Sequence, residues 1–156
     1  MPLNFFKPRP GRFGTQIAFL SLSSIGGADY IGGAAPLTVN DTTTFKIPSP
    51  YRKCRFVRAS VVMKTIAVDA DGTVLATVKK LTAPSTKASL TDALSWEAAG
   101  VTADTVAQFV TLSTATEAQR TLNAGESFIV DVVNDSAAID TQPAGINITI
   151  EVEVLE

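Results

Sequence analysis

The feature that most constrains the fold of this chain is an alternation of apolar and polar residues near its C-terminus. From Ile146 to Val154, five β-branched residues occupy every second position and four polar residues occupy the positions between them. Alternation with a period of two places all the apolar side chains on one face of an extended strand. The segment therefore predicts a half-buried strand of an antiparallel sheet, with one face toward a core and the other toward solvent.

Similar strand-forming segments recur along the chain. Further predicted strands cover residues 16–23, 38–47, 55–68, 74–81, 105–112 and 126–133. Together they predict seven or eight strands in one all-β domain, an antiparallel β-sandwich that spans residues 15–156.

The longest of these segments, residues 55–68, carries the most detailed prediction. Its apolar side is expected to hold Val57, Ala59, Val61 and Met63, and its polar side Arg58, Ser60 and Lys64. The turn residues Asp69-Ala70-Asp71-Gly72 follow, so the segment is predicted to form a hairpin with residues 74–81.

Residues 91–100 interrupt the β pattern. Thr91 suits an N-cap, Asp92 suits the first turn of a helix, and Gly100 suits its end. The segment predicts one short helix, from which Leu94 or Trp96 would close an end of the sandwich.

Residues 1–14 predict an extended N-terminal arm. Pro2, Pro8 and Pro10 remove backbone donors and fix φ, so the arm cannot form a regular helix or an inner strand. Its apolar side chains are costly to leave in water, which indicates that the arm lies against a domain surface or a neighbour. The candidate partner-binding residues are Leu3, Phe5, Phe6, Lys7, Arg9, Arg12 and Phe13.

The charges of the chain are divided unevenly along its length. Residues 1–87 hold twelve of the thirteen Lys and Arg residues against four acids, whereas residues 88–156 hold only Arg120 against eleven acids. This division favours a chain that assembles, with a positive edge meeting a neighbour's negative edge, although solvated strand faces explain it equally well. The net charge of −2 is not typical of a nucleic-acid-binding domain, so no nucleic-acid partner is expected.

The residue inventory excludes several kinds of chemistry. The chain has no histidine and Cys54 is its only cysteine, so an internal disulfide, the usual Cys/His zinc sets and histidine-dependent triads are excluded. It also lacks a glycine-rich phosphate loop, and the Asp69-x-Asp71-Gly72 segment lacks the remaining ligands of a calcium loop. We expect no enzyme activity, no cofactor and no metal, and we expect Cys54 to be a buried strand thiol. No Sec signal and no 18-residue apolar run is found, so no membrane partner is expected.

The order of features from about residue 37 onward resembles a group of viral proteins. Residues 51–61, the D-G turn, the Leu94-Ser95-Trp96 loop, residues 122–128 and the final alternating strand together resemble small β-sandwich structural proteins of tailed-bacteriophage virions, especially capsid decoration, or cement, proteins. The resemblance implies a jelly-roll-like sandwich and a homotrimer. It also implies that the arms dock on the major capsid protein at the outer capsid surface, and that the chain is made in the host cytoplasm without a signal peptide.

A second class of function remains open at this stage. A carbohydrate- or receptor-binding module of a phage tail or head fibre uses the same kind of sandwich. Sugar platforms usually need exposed aromatic rings, and apart from phenylalanine the chain offers only Tyr30, Tyr51 and Trp96.

Overall fold

The computed structural model describes residues 16–23, 42–46, 53–70, 72–83, 86–124, 126–134, 140–141 and 143–155. This part of the chain is built from strands and one helical turn, which confirms the predicted all-β class. The strands are β1 (Gln16–Ser23), β2 (Thr42–Lys46), β3 (Cys54–Val62), β4 (Val74–Ala83), β5 (Thr86–Ser89), β6 (Leu94–Ser95), β7 (Ala107–Phe109), β8 (Thr121–Leu122), β9 (Ser127–Asn134) and β10 (Asn147–Val154). The helix is α1 (Glu117–Arg120).

The strands form two antiparallel sheets. In sheet one the order is β1-β10-β3-β7, and β8 also pairs with β3. In sheet two the order is β2-β9-β4-β5, and β6 also pairs with β4. Strands that are distant in sequence are therefore neighbours, and the last strand, β10, lies between β1 and β3.

The two sheets contribute to one hydrophobic core. The predicted apolar face of the final strand is buried, as shown by Ile148, Ile150 and Val152. Sheet two supplies alternate residues of β9, and the ring of its Phe128 lies 5.9 Å from the ring of Phe56 on β3. Burying one large apolar side chain stabilises a fold by about 1.5–3 kcal/mol, so this alternation is the main reason that these segments form sheets.

A β-bulge changes which residues of β3 face the core. Along β10, Val152 pairs with Phe56 and Glu151 pairs with Arg58, so Val57 is an extra residue on β3. The prediction that Val57 shares the apolar side with Ala59 is therefore wrong. Val57 is 38% exposed, and Phe56 is buried in its place because the bulge shifts the alternation by one residue.

The predicted hairpin between residues 55–68 and 74–81 is also wrong. β3 belongs to sheet one and β4 to sheet two, and the segment between them crosses from one sheet to the other. This segment buries Ala67 in the core and forms bridges from Thr65 to Ala144 and from Val68 to Thr141. These long-range contacts override the local turn signal.

The predicted helix at residues 91–100 is wrong as well. The segment forms β6 and a turn because its backbone groups pair with neighbouring strands. The amide of Trp96 donates to the carbonyl of Val74, and Thr91 forms a bridge with Thr111. The short helix lies at α1 instead, where Thr116 and Gln119 form a capping box.

Candidate interaction face

The predicted partner-binding residues of the arm lie outside the described residues. They are Leu3, Phe5, Phe6, Lys7, Arg9, Arg12 and Phe13. The structure therefore tests neither their contacts nor their role. It does show where the arm joins the fold, because β1 begins at Gln16, two residues after the arm ends.

Exposed apolar side chains concentrate on sheet one. Ile17 and Phe19 of β1 and Val57 at the bulge are exposed on the face of sheet one that points away from the core, and Phe19 is 59% exposed. We call this surface the sheet-one face. Val106 and Val110, which flank β7 at the opposite edge of the same sheet, are also exposed. Exposed apolar groups that cluster in this way mark interaction surfaces more often than isolated ones do.

Two rows of charged residues run across the sheet-one face beside these apolar groups. Phe19 lies opposite Glu151, which lies opposite Arg58, and the Arg58 Nε donates to Glu151 Oε2 at 2.5 Å. In the next row, Ile17 lies opposite Glu153, which lies opposite Arg55. The charges of each row are therefore compensated by cross-strand neighbours.

Arg55 is held by two carboxylates. Its guanidinium donates to Glu153, and its Nη1 donates to Glu117 Oε1 of α1 at 2.7 Å. The hydrogen bond with Glu153, followed by that with Glu117, raises the pKa of Arg55 further above its ordinary value. Arg55 thus joins β3, β10 and α1 at one end of the face.

Sheet two has a similar arrangement of charges. Lys79 and Lys87 both contact the buried Asp131 at 3.0 Å, and Lys80 contacts Glu126 at 2.9 Å. In each of these ion pairs, as in those of sheet one, the base comes from residues 1–87 and the acid from residues 88–156. The division of charge along the sequence has an intramolecular explanation in the described residues, and it no longer supports a contact between copies.

A cleft of about 570 Å³ lies between α1 and the edge of sheet one where the arm joins. Its lining includes Ile17, Arg55, Val57, Ala115, Glu117 and Arg120. The side chain of Arg120 donates from Nη2 to the carbonyl of Leu112 at 3.3 Å. Its Nε is buried and has no hydrogen-bond acceptor among the described residues.

Cys54 is a buried strand residue, as predicted. Its side chain is part of the core, and burial raises the pKa of the thiol from 9.0 to about 11. The thiol therefore stays protonated at neutral pH, where a nucleophile would need the thiolate.

The described residues hold neither a metal-binding cluster nor a membrane-spanning helix. Within them, no group of three or more His, Cys, Asp or Glu side chains is placed to hold a metal ion, and Asp71 of the predicted turn lies outside them. In the same part of the chain, no helix has the length and apolar character needed to span a membrane.

The aromatic residues considered for sugar binding are placed differently from one another. Trp96 is completely buried, so it cannot stack on a sugar ring at the surface. Tyr30 and Tyr51 lie outside the described residues. Phe19, which no sequence pattern singled out, is the exposed aromatic residue of the sheet-one face.

Comparison with known proteins gives no relative: no family model matches the chain, and no curated protein matches it. The sheet-one face was also missed by sequence reasoning, although one signal was present. Residues 17–20 are all apolar, so both faces of β1 carry apolar groups. A strand that buries only one such face leaves the other for a partner.

Proposed function

We propose that this chain is a non-enzymatic virion structural protein that decorates and stabilises a bacteriophage capsid. It binds the outer surface of the major capsid protein shell as a homotrimer. The observation that carries this proposal is the sheet-one face, where exposed apolar groups and compensated ion pairs lie beside the point at which the arm joins the fold. A surface of mixed apolar and paired charged groups suits protein recognition.

The strand pairing supports a jelly-roll-like sandwich as the finer description of the fold. β1 pairs with β10, β2 with β9, β3 with β8, and β4 with β5, so the pairs are nested one inside another. A long antiparallel hairpin that is rolled into two sheets has this nesting. Jelly rolls of this kind are common in viral capsid proteins.

The position of β1 links the arm to the sheet-one face. Gln16 begins β1, and Ile17 and Phe19 project from the same strand onto the face. Each of these side chains is about half exposed, so full burial against a partner would contribute roughly 1 kcal/mol apiece. The sheet-one face therefore begins close to the point in the sequence where the arm ends.

The charge of the arm indicates the character of the partner. Lys7, Arg9 and Arg12 precede the first acid of the chain, Asp29, so the arm is basic throughout. An acidic capsid surface would attract it, and salt would weaken that part of the attraction. Contacts between the phenylalanine rings of the arm and the shell would not depend on salt, so binding to the capsid should be only partly salt-sensitive.

The alternative, a carbohydrate- or receptor-binding module, has less support. Of the aromatic residues that the sequence offered for a sugar platform, Trp96 is buried, and Phe19 is a single exposed ring among aliphatic and charged neighbours. We therefore propose the capsid surface, and not a tail or head fibre, as the site of this chain.

The test is binding to capsids of the source phage that lack this protein. The full chain should saturate these capsids at a fixed ratio to the shell protein. Deletion of residues 1–14 should leave the thermal unfolding transition in place but weaken binding at least tenfold. Phe19→Ser should weaken binding several-fold, whereas the matched control Val68→Ser, exposed at 48% away from this face, should not. Failure of the full chain to bind would refute the proposed function.

The oligomeric state has its own measurement. Light scattering on the purified protein should give three times the chain mass of 16.4 kDa. A monomer at the highest soluble concentration would count against the trimer.

A further inference from the structure

We propose that the outer edge of β1 binds an extended, uncharged segment of the shell protein as an added strand of sheet one. This inference rests on the proposed function and names how the shell is recognised. Main-chain hydrogen bonds along β1 would hold the segment, and its alternate side chains would cover the sheet-one face.

The position of β1 is fixed by the fold itself. Its eight residues pair with β10 in one continuous register, and its inward-facing Ala18 and Leu20 pack against the core. The other side of β1 has no strand partner in the described part of the chain. Such an edge presents a row of backbone donors and acceptors to an incoming strand. Because the edge is already ordered, binding costs little conformational entropy on this side of the contact.

The apolar side chains beside this edge are left uncovered by the chain itself. Ile17 is 45% exposed and Phe19 is 59% exposed, and both project from β1 onto the sheet-one face. Sheet two differs, because Ile129 is completely buried although it lies on the side of β9 away from the core. The open apolar surface is therefore a property of sheet one, and a group that covers it has to come from another molecule.

A second copy of the chain offers no matching strand. Pairing of β1 with the β1 of another copy relates the two chains by a two-fold axis, whereas a trimer is closed by contacts between two different surfaces. The other sheet edges in the described part of the chain are shorter than β1: β7 has three residues, β2 has five and β5 has four. The shell protein is then the partner that the proposed function leaves for this edge.

The residues of β1 indicate the chemistry of the bound segment. β1 carries no charge, and the acids of the neighbouring strand β10 are already held by the arginines of β3. The edge therefore does not select a charged partner. Residues of an added strand opposite Ile17 and Phe19 would lie on the same face of the sheet, where apolar or aromatic side chains would cover both. We expect an extended shell segment with apolar residues at alternate positions.

The experiment measures amide hydrogen exchange along β1 in the purified protein and in the protein bound to capsids that lack it. In an antiparallel pair, alternate residues of β1 donate to β10 and the residues between them point to the outer edge. The outward amides should exchange rapidly in the purified protein and about a hundredfold more slowly on the capsid, because an added strand accepts their hydrogen bonds. The amides that donate to β10 serve as the internal control, since they are protected in both states.

A proline variant tests the same hydrogen bonds through binding. Of the neighbours Ala18 and Phe19, exchange in the purified protein identifies the one whose N–H points outward. Proline at that position removes the donor and should weaken capsid binding about tenfold, whereas alanine at the same position is the matched control that keeps it. If the proline variant does not fold, the exchange measurement decides the question.

The possible outcomes separate this inference from the proposed function. If the outward amides stay unprotected on the capsid, strand addition is overturned and the proposed function stands. If they are already protected in the purified protein, the edge is covered by the chain itself or by a second copy, and the inference is wrong. Absence of capsid binding by the full native chain overturns both proposals.

Discussion

Lys80 is a buried base whose replacement should cost a large fraction of the protein's stability. It follows Val78 on the core-facing side of β4, and the residue is only 5% exposed. Its Nζ lies 2.9 Å from Glu126 Oε2, 2.5 Å from the carbonyl oxygen of Thr121 and 3.3 Å from that of Ala118. The ammonium therefore joins β4 to the end of α1 and to the start of β9.

We expect Lys80→Met to lower the free energy of unfolding by about 3 kcal/mol. Methionine keeps most of the apolar stem, so little hydrophobic burial is lost. Removal of one partner from a buried ion pair typically costs about 3–5 kcal/mol, because the other charge stays buried. The lower end applies here, since the Glu126 side chain is 18% exposed and still accepts from the Asn123 amide at 2.7 Å.

Glu126 also makes the stability that comes from its ion pair with Lys80 depend on pH. Burial raises the pKa of its carboxyl, but the hydrogen bond from the Asn123 amide and the contact with Lys80 outweigh burial and hold the pKa below its ordinary value of 4.5. The contribution is complete above pH 4.5 and is lost as the pH falls through the lower pKa of the folded state. Glu126→Gln should remove this part of the acid sensitivity.

Urea denaturation provides the assay. Trp96 is the only tryptophan and is buried, so its fluorescence reports unfolding directly. The control Lys53→Met should change stability by less than about 0.5 kcal/mol. A double-mutant cycle between Lys80→Met and Glu126→Gln should give a coupling of about 1–3 kcal/mol. A loss below about 1 kcal/mol for Lys80→Met, or an absence of coupling, would refute the reasoning.

Three further predictions concern the core and the backbone. Gly145→Ala should lower stability by about 1–3 kcal/mol, because Gly145 has a φ of 62° and an added Cβ would lie 2.6 Å from the Lys64 Cβ; an unchanged melting temperature would contradict this. Cys54 should resist iodoacetamide at pH 8 until urea unfolds the chain, and stability should fall above pH 9, where the unfolded thiol ionises and the folded one does not; rapid alkylation of the native protein would disprove its burial. Phe128→Ala should cost about 3–5 kcal/mol by calorimetry, since its ring packs on Phe56, and a cost under 1 kcal/mol would mean that the core is not shared as described.

The strands that the sequence predicts correctly are those whose own residues indicate the structure. The strand predicted at residues 16–23 coincides with β1, and the alternation of residues 146–154 gave both the strand and the buried face of β10. In the final strand the period of the apolar residues is itself the consequence of one buried face, whereas residues 16–23 were predicted from their strand-forming composition. No contact with another part of the chain is needed to interpret it.

The errors arose where distant contacts decide the local structure. A turn sequence at residues 69–72 and a capping pattern at residues 91–100 are compatible with a hairpin and a helix. Ala67 and Trp96 are instead buried in the core, and backbone hydrogen bonds join both segments to other parts of the chain. The bulge at Val57 also depends on a distant contact. The extra residue is defined only by the pairing of β3 with β10, which the sequence of β3 alone does not show.

The edge strand of the sheet-one face, β1, supports the proposed assembly. The other edges of the two sheets among the described residues are less open to further pairing: β7 has three residues, β2 has five, and β5 carries Lys87 next to a register shift. β1 has eight residues, no charge, no proline and a continuous register with β10. Its opposite side has no strand partner in the described part of the chain. An edge that has no such protection from the described residues, and that also presents Ile17 and Phe19, favours a chain that is covered by a neighbour over a free monomer.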